Sequence, residues 1–480
     1  MRYILFLFTL TIVFAGAQPG FCDWEEMIQV NTNSSDKQAS RDSDCPWPIA
    51  ADDSGNVYTV WEDNQTGDLE VYFRKRNYDG TWDSQEKISN EETISVPNYG
   101  HPSICVLPGS YPPWLLTCYV REHDGSLPRE LRGNNFDGTE WGDPSYYISD
   151  EDSDPNYVLP NHSTGWGTNI VALSDGKAYA FWQYAVYPHV KLYFKEYDDG
   201  WEPGYEKVVY DDGGASRHYS RHENACVDID DNIHLVYSDT TPGQLEIFYL
   251  SKSPEDPWFG EYPGYQLSSS PSETYSVFPY CAVSVVADTT FLHVVWSTLP
   301  TALIYYRNWN SITDTWSAIT DTIVNDIIPR AEKPSVACDS YGNVHVVWEQ
   351  ELEDGSFDLV KYRKFDHAAG QWGSIVILPA DEEEIDAYAV PVIISDVYDN
   401  LHVLMTGRRV GVEAADEEVY YSFYDAPPHI WDLTFLRNQS NQDSVVIDWE
   451  GMNEPDLDTY KVYRKFEEGQ WESIGSTTHT

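Results

Sequence analysis

Residues 342–348 read GNVHVVW, and close copies stand at 232–237 (NIHLVY), 291–296 (FLHVVW), 400–405 (NLHVLM) and 56–61 (NVYTVW). Two weaker copies are 177–182 (KAYAFW) and 114–119 (WLLTCY). The copies end at Trp61, Tyr119, Trp182, Tyr237, Trp296, Trp348 and Met405, spaced 58, 63, 55, 59, 52 and 57 residues apart. A segment repeated at a period of about 57 marks an array of equal supersecondary units, each unable to bury its faces alone.

The sixth unit shows what one repeat contains. Residues 334–338 (PSVAC) form a short apolar run, and 339–343 (DSYGN) supply the residues a tight turn needs. Then come 344–348, 359–365 (LVKYRKF) and 371–378 (QWGSIVIL), each rich in β-branched and aromatic residues and bounded by Asp, Gly or Asn. Four antiparallel strands repeated seven times predict an all-β fold, a seven-bladed β-propeller. The fourth strands carry a tryptophan near their start: Trp82, Trp141, Trp201, Trp258, Trp316 and Trp372. The seventh unit ends after its third strand, 419–424 (VYYSFY). Residues 24–30 (WEEMIQV) match 82–88 (WDSQEKI), so this N-terminal strand is expected to complete the seventh blade and close the ring.

Residues 1–17 read as a signal peptide: Arg2, an apolar run over 4–14, then Ala15-Gly16-Ala17. The run is too short to span a bilayer, and Cys22 lacks a small-residue lipobox ahead of it. A secreted or cell-surface protein is expected. Its 79 acidic against 29 basic residues leave a net charge of −50, which argues against nucleic acid and anionic membranes as partners. Aromatic content of 15% argues for a packed β core rather than a disordered acidic chain. Cys226, Cys281 and Cys338 recur on inner strands, which favours buried free thiols. Cys105 and Cys118, on paired strands of one blade, are the candidate disulfide. No zinc-type spacing occurs.

The turns at 77–82 (NYDGTW), 135–141 (NFDGTEW) and 198–201 (DDGW) resemble shortened forms of the Asp-box of sialidase-superfamily propellers. The resemblance covers about residues 24–425 and implies the propeller fold. It also implies, for an active sialidase, an arginine triad, an FRIP segment, a tyrosine nucleophile with its glutamate partner, and an aspartic acid. Here the chain departs: FRIP is absent, the surroundings of Arg41 (SRDSD) do not match, and nothing assigns Arg217, Arg221 and Arg330 to a triad. Beyond 18–425, residues 426–480 resemble the first part of a bacterial fibronectin type III domain, with 444–449 (SVVIDW), an acidic turn, and YKVYR at 460–464. Only 55 residues follow Asp425, where such a domain needs about 90–100, so the resemblance implies a truncated domain.

Three features bear on function. His234, His293, His345 and His402 occupy one position in four units, with Tyr58 and Tyr179 there in two others. Placed in separate blades, they suit a hydrogen-bonding role rather than a metal ring. Asp150, Asp152 and Asp154 alternate as calcium ligands do, without the glycine and terminal glutamate of an EF-hand. No other cofactor is indicated. The loop 217–223 (RHYSRHE) concentrates Arg217, His218, Tyr219, Arg221 and His222 in an acidic chain. Inter-blade loops also carry Tyr99, His101, Tyr157, His162, Trp166, Tyr275 and Arg330. Arginine forks and flat rings suit a carbohydrate, or an extracellular protein, as the bound partner. The basic loop is expected to project toward Tyr157 and Trp166. The favoured reading is a non-catalytic binding propeller. The alternative is a sialidase-like glycoside hydrolase or lyase acting on surface glycans.

Overall fold

The computed structural model describes residues 24–32, 37–38, 48–65, 68–89, 98–110, 112–122, 130–142, 146–149, 168–186, 189–201, 207–209, 221–257, 259–318, 321–324, 330–351, 357–379, 385–409, 417–426, 430–437, 445–451, 459–464 and 472–478. Seven antiparallel sheets follow one another along the chain. Blade 6 shows the plan. Its inner strand is Ala331–Cys338, the second Val344–Glu351, the third Phe357–Asp366, and the outer strand is broken into Gln371–Trp372 and Val376–Ile377. The inner strands of blades 1 to 5 are Ile49–Ala51, Asn98–Leu107, Thr168–Ala172, Arg221–Val227 and Tyr275–Val286, and that of blade 7 is Ile385–Ser395.

The repeated aromatic sets the packing. Trp61, Trp296 and Trp348 are fully buried. Trp61, Trp182 and Trp296 each stack on the aromatic directly across the sheet, Tyr72, Tyr193 and Tyr305, at ring-centre distances of 6.2, 6.1 and 5.8 Å. Such pairs add to the area that each ring buries. The buried apolar residues fall into seven clusters, each shared by two adjacent blades. An open array of seven blades would have six such interfaces. The seventh joins Ile49, Val57 and Trp61 of blade 1 to Val392, Leu404 and Tyr421 of blade 7, with Val30 between them.

The described part of the N-terminal segment lies on the edge of blade 7. Ile28 and Gln29 pair with Tyr421 and Tyr420, and Trp24 bridges Tyr424. Side chains repeat what outer strands do elsewhere. Trp141, Trp316 and Trp372 meet Phe73, Tyr249 and Tyr306 of the preceding blade edge-on, at 4.9, 5.1 and 5.3 Å. Trp24 meets Tyr362 of blade 6 the same way at 5.1 Å. Arg307 and Arg363 each donate Nη1 to an outer-strand carbonyl of the blade before, Leu267 and Ile323, at 2.9 and 2.6 Å. Arg74 of blade 1 donates likewise to the Val30 carbonyl.

All five described cysteines are free. The Cys105–Cys118 candidate fails on register: Cys105 lies opposite Leu116, and Cys118 opposite Ser103. Burial pushes the Cys105 thiol up to about 12 and raises Cys118, Cys226 and Cys338 as well. Cys22 and Cys45 lie outside the described residues, as do residues 1–17.

After the ring, Ile430–Arg437 pairs with Val445–Gly451, and Thr459–Arg464 with Glu472–Thr478, as two antiparallel pairs. Among the described residues no helix is long and apolar enough to cross a membrane.

Candidate functional site

The four equivalent histidines resolve into a repeated clasp. In blade 6, Asp339 accepts hydrogen bonds from the Tyr341, Asn343 and His345 groups of its own turn and strand: Tyr341 N–H at 3.1 Å, Asn343 N–H at 2.8 Å, Asn343 Nδ2 at 2.7 Å and His345 Nε2 at 3.1 Å. The other nitrogen of His345 meets the Tyr362 hydroxyl at 2.8 Å. A carboxylate only accepts, so the proton sits on Nε2 and the tyrosine donates to Nδ1. Blades 4 and 7 repeat this with Asp228, His234 and Tyr249, and with Asp396, His402 and Tyr421. Blade 5 substitutes Ser284 for the carboxylate, 2.9 Å from His293 Nε2. In blade 1 Tyr58 donates directly to Asp52 at 2.6 Å. These groups fix each turn and tie the second strand to the third. They form no metal centre, and no group of three or more His, Cys, Asp or Glu among the described residues is placed to hold one.

The clasps carry a pH signature. Burial, helped by nearby His367, pulls His293 down to about 3, and burial also lowers His345 against the pull of Asp339. Burial pushes Asp228 up, but donors from His234 and Asn232 outweigh it and hold the carboxyl near about 2. A histidine with a depressed folded pKa gives stability that is complete above its unfolded value of 6.5 and is lost as pH falls toward 3. Unfolding near pH 5 should therefore take up close to one proton fewer in His293→Gln than in the native chain. Denaturant titrations between pH 7 and 5 read this as a flatter pH slope, and an unchanged slope would show that His293 is not held neutral.

At the opposite end of the blades the inner strands begin with a repeated kink. His101, His222, Phe278, Lys333 and Val390 have left-handed φ of 55°, 54°, 55°, 49° and 50°. The register of the inner strand slips at each of them. Proline follows in four cases (Pro102, Pro279, Pro334, Pro391) and Glu223 in the fifth. Non-glycine residues in this region cost about 1–3 kcal/mol each, so the surroundings must hold them there. Three of them are held by the residue just past the repeated aromatic of the blade before. Glu62 Oε2 accepts the His101 N–H at 3.1 Å, Ser297 Oγ the Lys333 N–H at 3.0 Å, and Glu349 Oε2 the Val390 N–H at 3.0 Å. Gln183 of blade 3 donates to Glu223 of blade 4 at 2.7 Å. Gly100 leaves room for one of these contacts, because a Cβ there would lie 2.5 Å from Glu62 Oε2.

This rim is where the sequence placed a binding face. Arg217, His218, Tyr219, Tyr157 and Trp166 lie outside the described residues, as do Asp150, Asp152, Asp154 and His162. Arg221 opens the inner strand of blade 4, opposite Ser238; only its backbone is described, as for Tyr99 in blade 2. His222 is buried, with its ring edge-on to Phe278 of the following blade at 4.6 Å and Nδ1 3.3 Å from Ser238 Oγ. It therefore turns toward blade 5. His101 is buried, while Tyr275 is exposed. Arg330 pairs with Glu332 and lies 3.6 Å from Glu351. The sequence reading missed Glu62 and Glu349, buried carboxylates of the rim, and the buried pair Arg121 and Arg132 in blade 2, while Glu223, within the 217–223 loop, is buried as well. A spacing signal was available for the kinks: each Pro, or Glu223, stands five residues ahead of the turn position held by Leu107, Asp228, Ser284, Asp339 or Asp396.

Further along the axis the same inner strands line a well of about 340 Å³, with Cys105, Cys226, Cys281 and Cys338 among alanine, valine and isoleucine.

This architecture is that of a seven-bladed β-propeller. No protein-family model and no curated protein matches the sequence. Among solved structures, the polysaccharide lyase Uly1 is similar over 84% of this chain and 99% of its own, with a TM-score of 0.51 at 11% identity. An α-L-arabinanase of Penicillium chrysogenum, complexed with arabinobiose, is similar over 82% and 98%, with a TM-score of 0.42 at 14% identity. A lectin of Aleuria aurantia, in complex with Fucα1-6GlcNAc, is similar over 71% and 97%, with a TM-score of 0.40 at 11% identity.

Proposed function

We propose that this chain is a secreted or cell-surface, non-catalytic propeller that binds carbohydrate on the kinked rim, with residues 426–480 beginning a fibronectin type III spacer. The observation that carries the non-catalytic half is the occupation of the rim carboxylates. Glu62 and Glu349 each hold a backbone N–H of the next blade, Glu349 also lies 3.3 Å from Lys333 Nζ, Glu223 holds Gln183, and Glu332 pairs with Arg330. Carboxylates spent on joining blades are poor general acids or nucleophiles, which need an open face toward substrate. The carbohydrate half rests on the 217–223 loop, which enters blade 4 at this rim with two arginines and a tyrosine, and on Tyr157 and Trp166 of the loop before it. It is also consistent with the whole-chain fold shared with a protein named as a polysaccharide lyase.

A glycan array probed with the exported chain should give binders. Arg217→Ala with Arg221→Ala should weaken them at least about tenfold, roughly the 1.4 kcal/mol of one charge-assisted contact. Equal binding by the double variant would remove this loop from the site.

A further inference from the structure

The seam between blades 7 and 1 has chemistry of its own. Near the end of each third strand, the residue that faces the start of the second strand packs back on the preceding blade. It is aromatic in five blades (Phe136, Tyr197, Trp309, Phe365 and Tyr424) and cationic in two, Lys252 and Arg76. Phe136 meets Phe73 at 6.2 Å and Phe365 meets Tyr306 at 6.4 Å. Lys252 lies over Tyr179 at 5.0 Å and is satisfied by the Ser253 carbonyl at 3.1 Å. Arg76 lies over Phe423 at 4.5 Å and Tyr421 at 5.5 Å. It is 9% exposed, and its guanidinium makes no hydrogen bond or ion pair among the described residues. Its N–H donors stay open to solvent at the surface of a cleft, where a ligand's oxygens can accept from them.

Arg76 lines a cleft of about 370 Å³ at the turn end of the blades, opposite the rim. That volume is at the lower end of the roughly 300–1,000 Å³ of small-molecule sites. Flat apolar surface comes from Tyr78, which is half exposed, and from Tyr398 and Phe423. Acceptors come from Glu25, Asp79 and Asp425, with Asp79 already holding the Thr81 hydroxyl at 2.6 Å.

We propose that this seam cleft binds a neutral saccharide ring. The rings would cover the C–H face of a pyranose, Arg76 would donate to its hydroxyl oxygens, and the carboxylates would accept from its hydroxyl hydrogens. The surrounding carboxylates disfavour a uronic acid. The site is separate from the rim and stands or falls independently of it.

Saturation-transfer NMR and calorimetry on the full chain test this, using methyl glycosides of glucose, galactose, mannose and fucose, with methyl glucuronide as the acidic counterpart. At least one neutral glycoside should bind more tightly than the glucuronide. With the rim loop disabled by Arg217→Ala and Arg221→Ala, Arg76→Met and Tyr78→Ala should each weaken the remaining binding about tenfold or more. Tyr78 is exposed enough that its removal spares the fold, so a folding defect in Arg76→Met leaves the test standing. The proposal is overturned if no neutral glycoside binds, if the glucuronide binds best, if both seam variants bind as the loop double variant does, or if the loop double variant binds none.

Discussion

Replacing Trp24, Met27 and Val30 together with alanine should destabilise the ring by roughly 6–10 kcal/mol, since large-to-small changes at buried sites cost about 2–5 kcal/mol each. That loss is comparable with the whole stability of a typical domain, about 5–15 kcal/mol, so the triple variant should be largely unfolded. The three side chains are buried and serve two different interfaces. Trp24 and Met27 pack with Val347, Val360 and Tyr362 between blades 6 and 7, and Val30 packs with Trp61 and Tyr421 between blades 7 and 1. Effects at two separate interfaces should add, within the usual error for distant sites. The backbone adds to this, because Glu25 and Val30 donate to the Phe423 and Val419 carbonyls at 2.8 and 2.7 Å. Urea titration followed by tryptophan fluorescence measures the effect. A loss below about 2 kcal/mol would mean that the segment decorates blade 7 without closing the ring.

Asp396→Ala should cost about 2–4 kcal/mol, since leaving a buried donor unsatisfied costs about 1–3 kcal/mol and this carboxylate serves several. Its carboxylate accepts four hydrogen bonds, from Tyr398 N–H, Asn400 N–H, Asn400 Nδ2 and His402 Nε2, at 2.9, 2.9, 3.0 and 3.1 Å. His402 is fully buried and bonded to Tyr421 through its other nitrogen, so it has no water to turn to. Asp396→Ser should recover part of the loss, because blade 5 already uses Ser284 against His293 in this role. Chemical denaturation at pH 7 compares the two variants. Equal stability of Asp396→Ala and the native chain would mean that the clasp is incidental.

Much of this fold is legible because the repeat is written in residues that face a neighbouring blade. Trp61, Trp296 and Trp348 recur for the same reason that they are buried: each fills one inter-blade interface. The pairing of the N-terminal segment with blade 7 is legible because Trp24 keeps the outer-strand tryptophan and Val30 keeps its place six residues later, as Trp82 and Ile88 do. The clasp histidines were readable as a shared position, but their partners lie across a turn or on the next strand, and spacing alone does not reveal a hydrogen bond. The register of Cys105 and Cys118 is set by their turn, which puts Leu107 opposite Trp114 and leaves the two cysteines two residues out of step. The latches between blades, Glu62 to His101 and Glu349 to Val390, join residues 39 and 41 apart, and only the ring brings them together. Nothing in the spacing singles out Arg76, because its burial on Phe423 depends on blades 7 and 1 meeting.

The central functional claim is binding without cleavage, and incubation of the full chain with a panel of soluble neutral and acidic polysaccharides tests it most directly. Size-exclusion chromatography reads retention and polymer length together, and end-group assays detect new reducing or unsaturated ends. At least one polysaccharide should co-elute with the protein at its original length, with no new ends. Shortened chains bearing new ends, lost when Glu223 is replaced by glutamine, would contradict it and make the rim carboxylates catalytic.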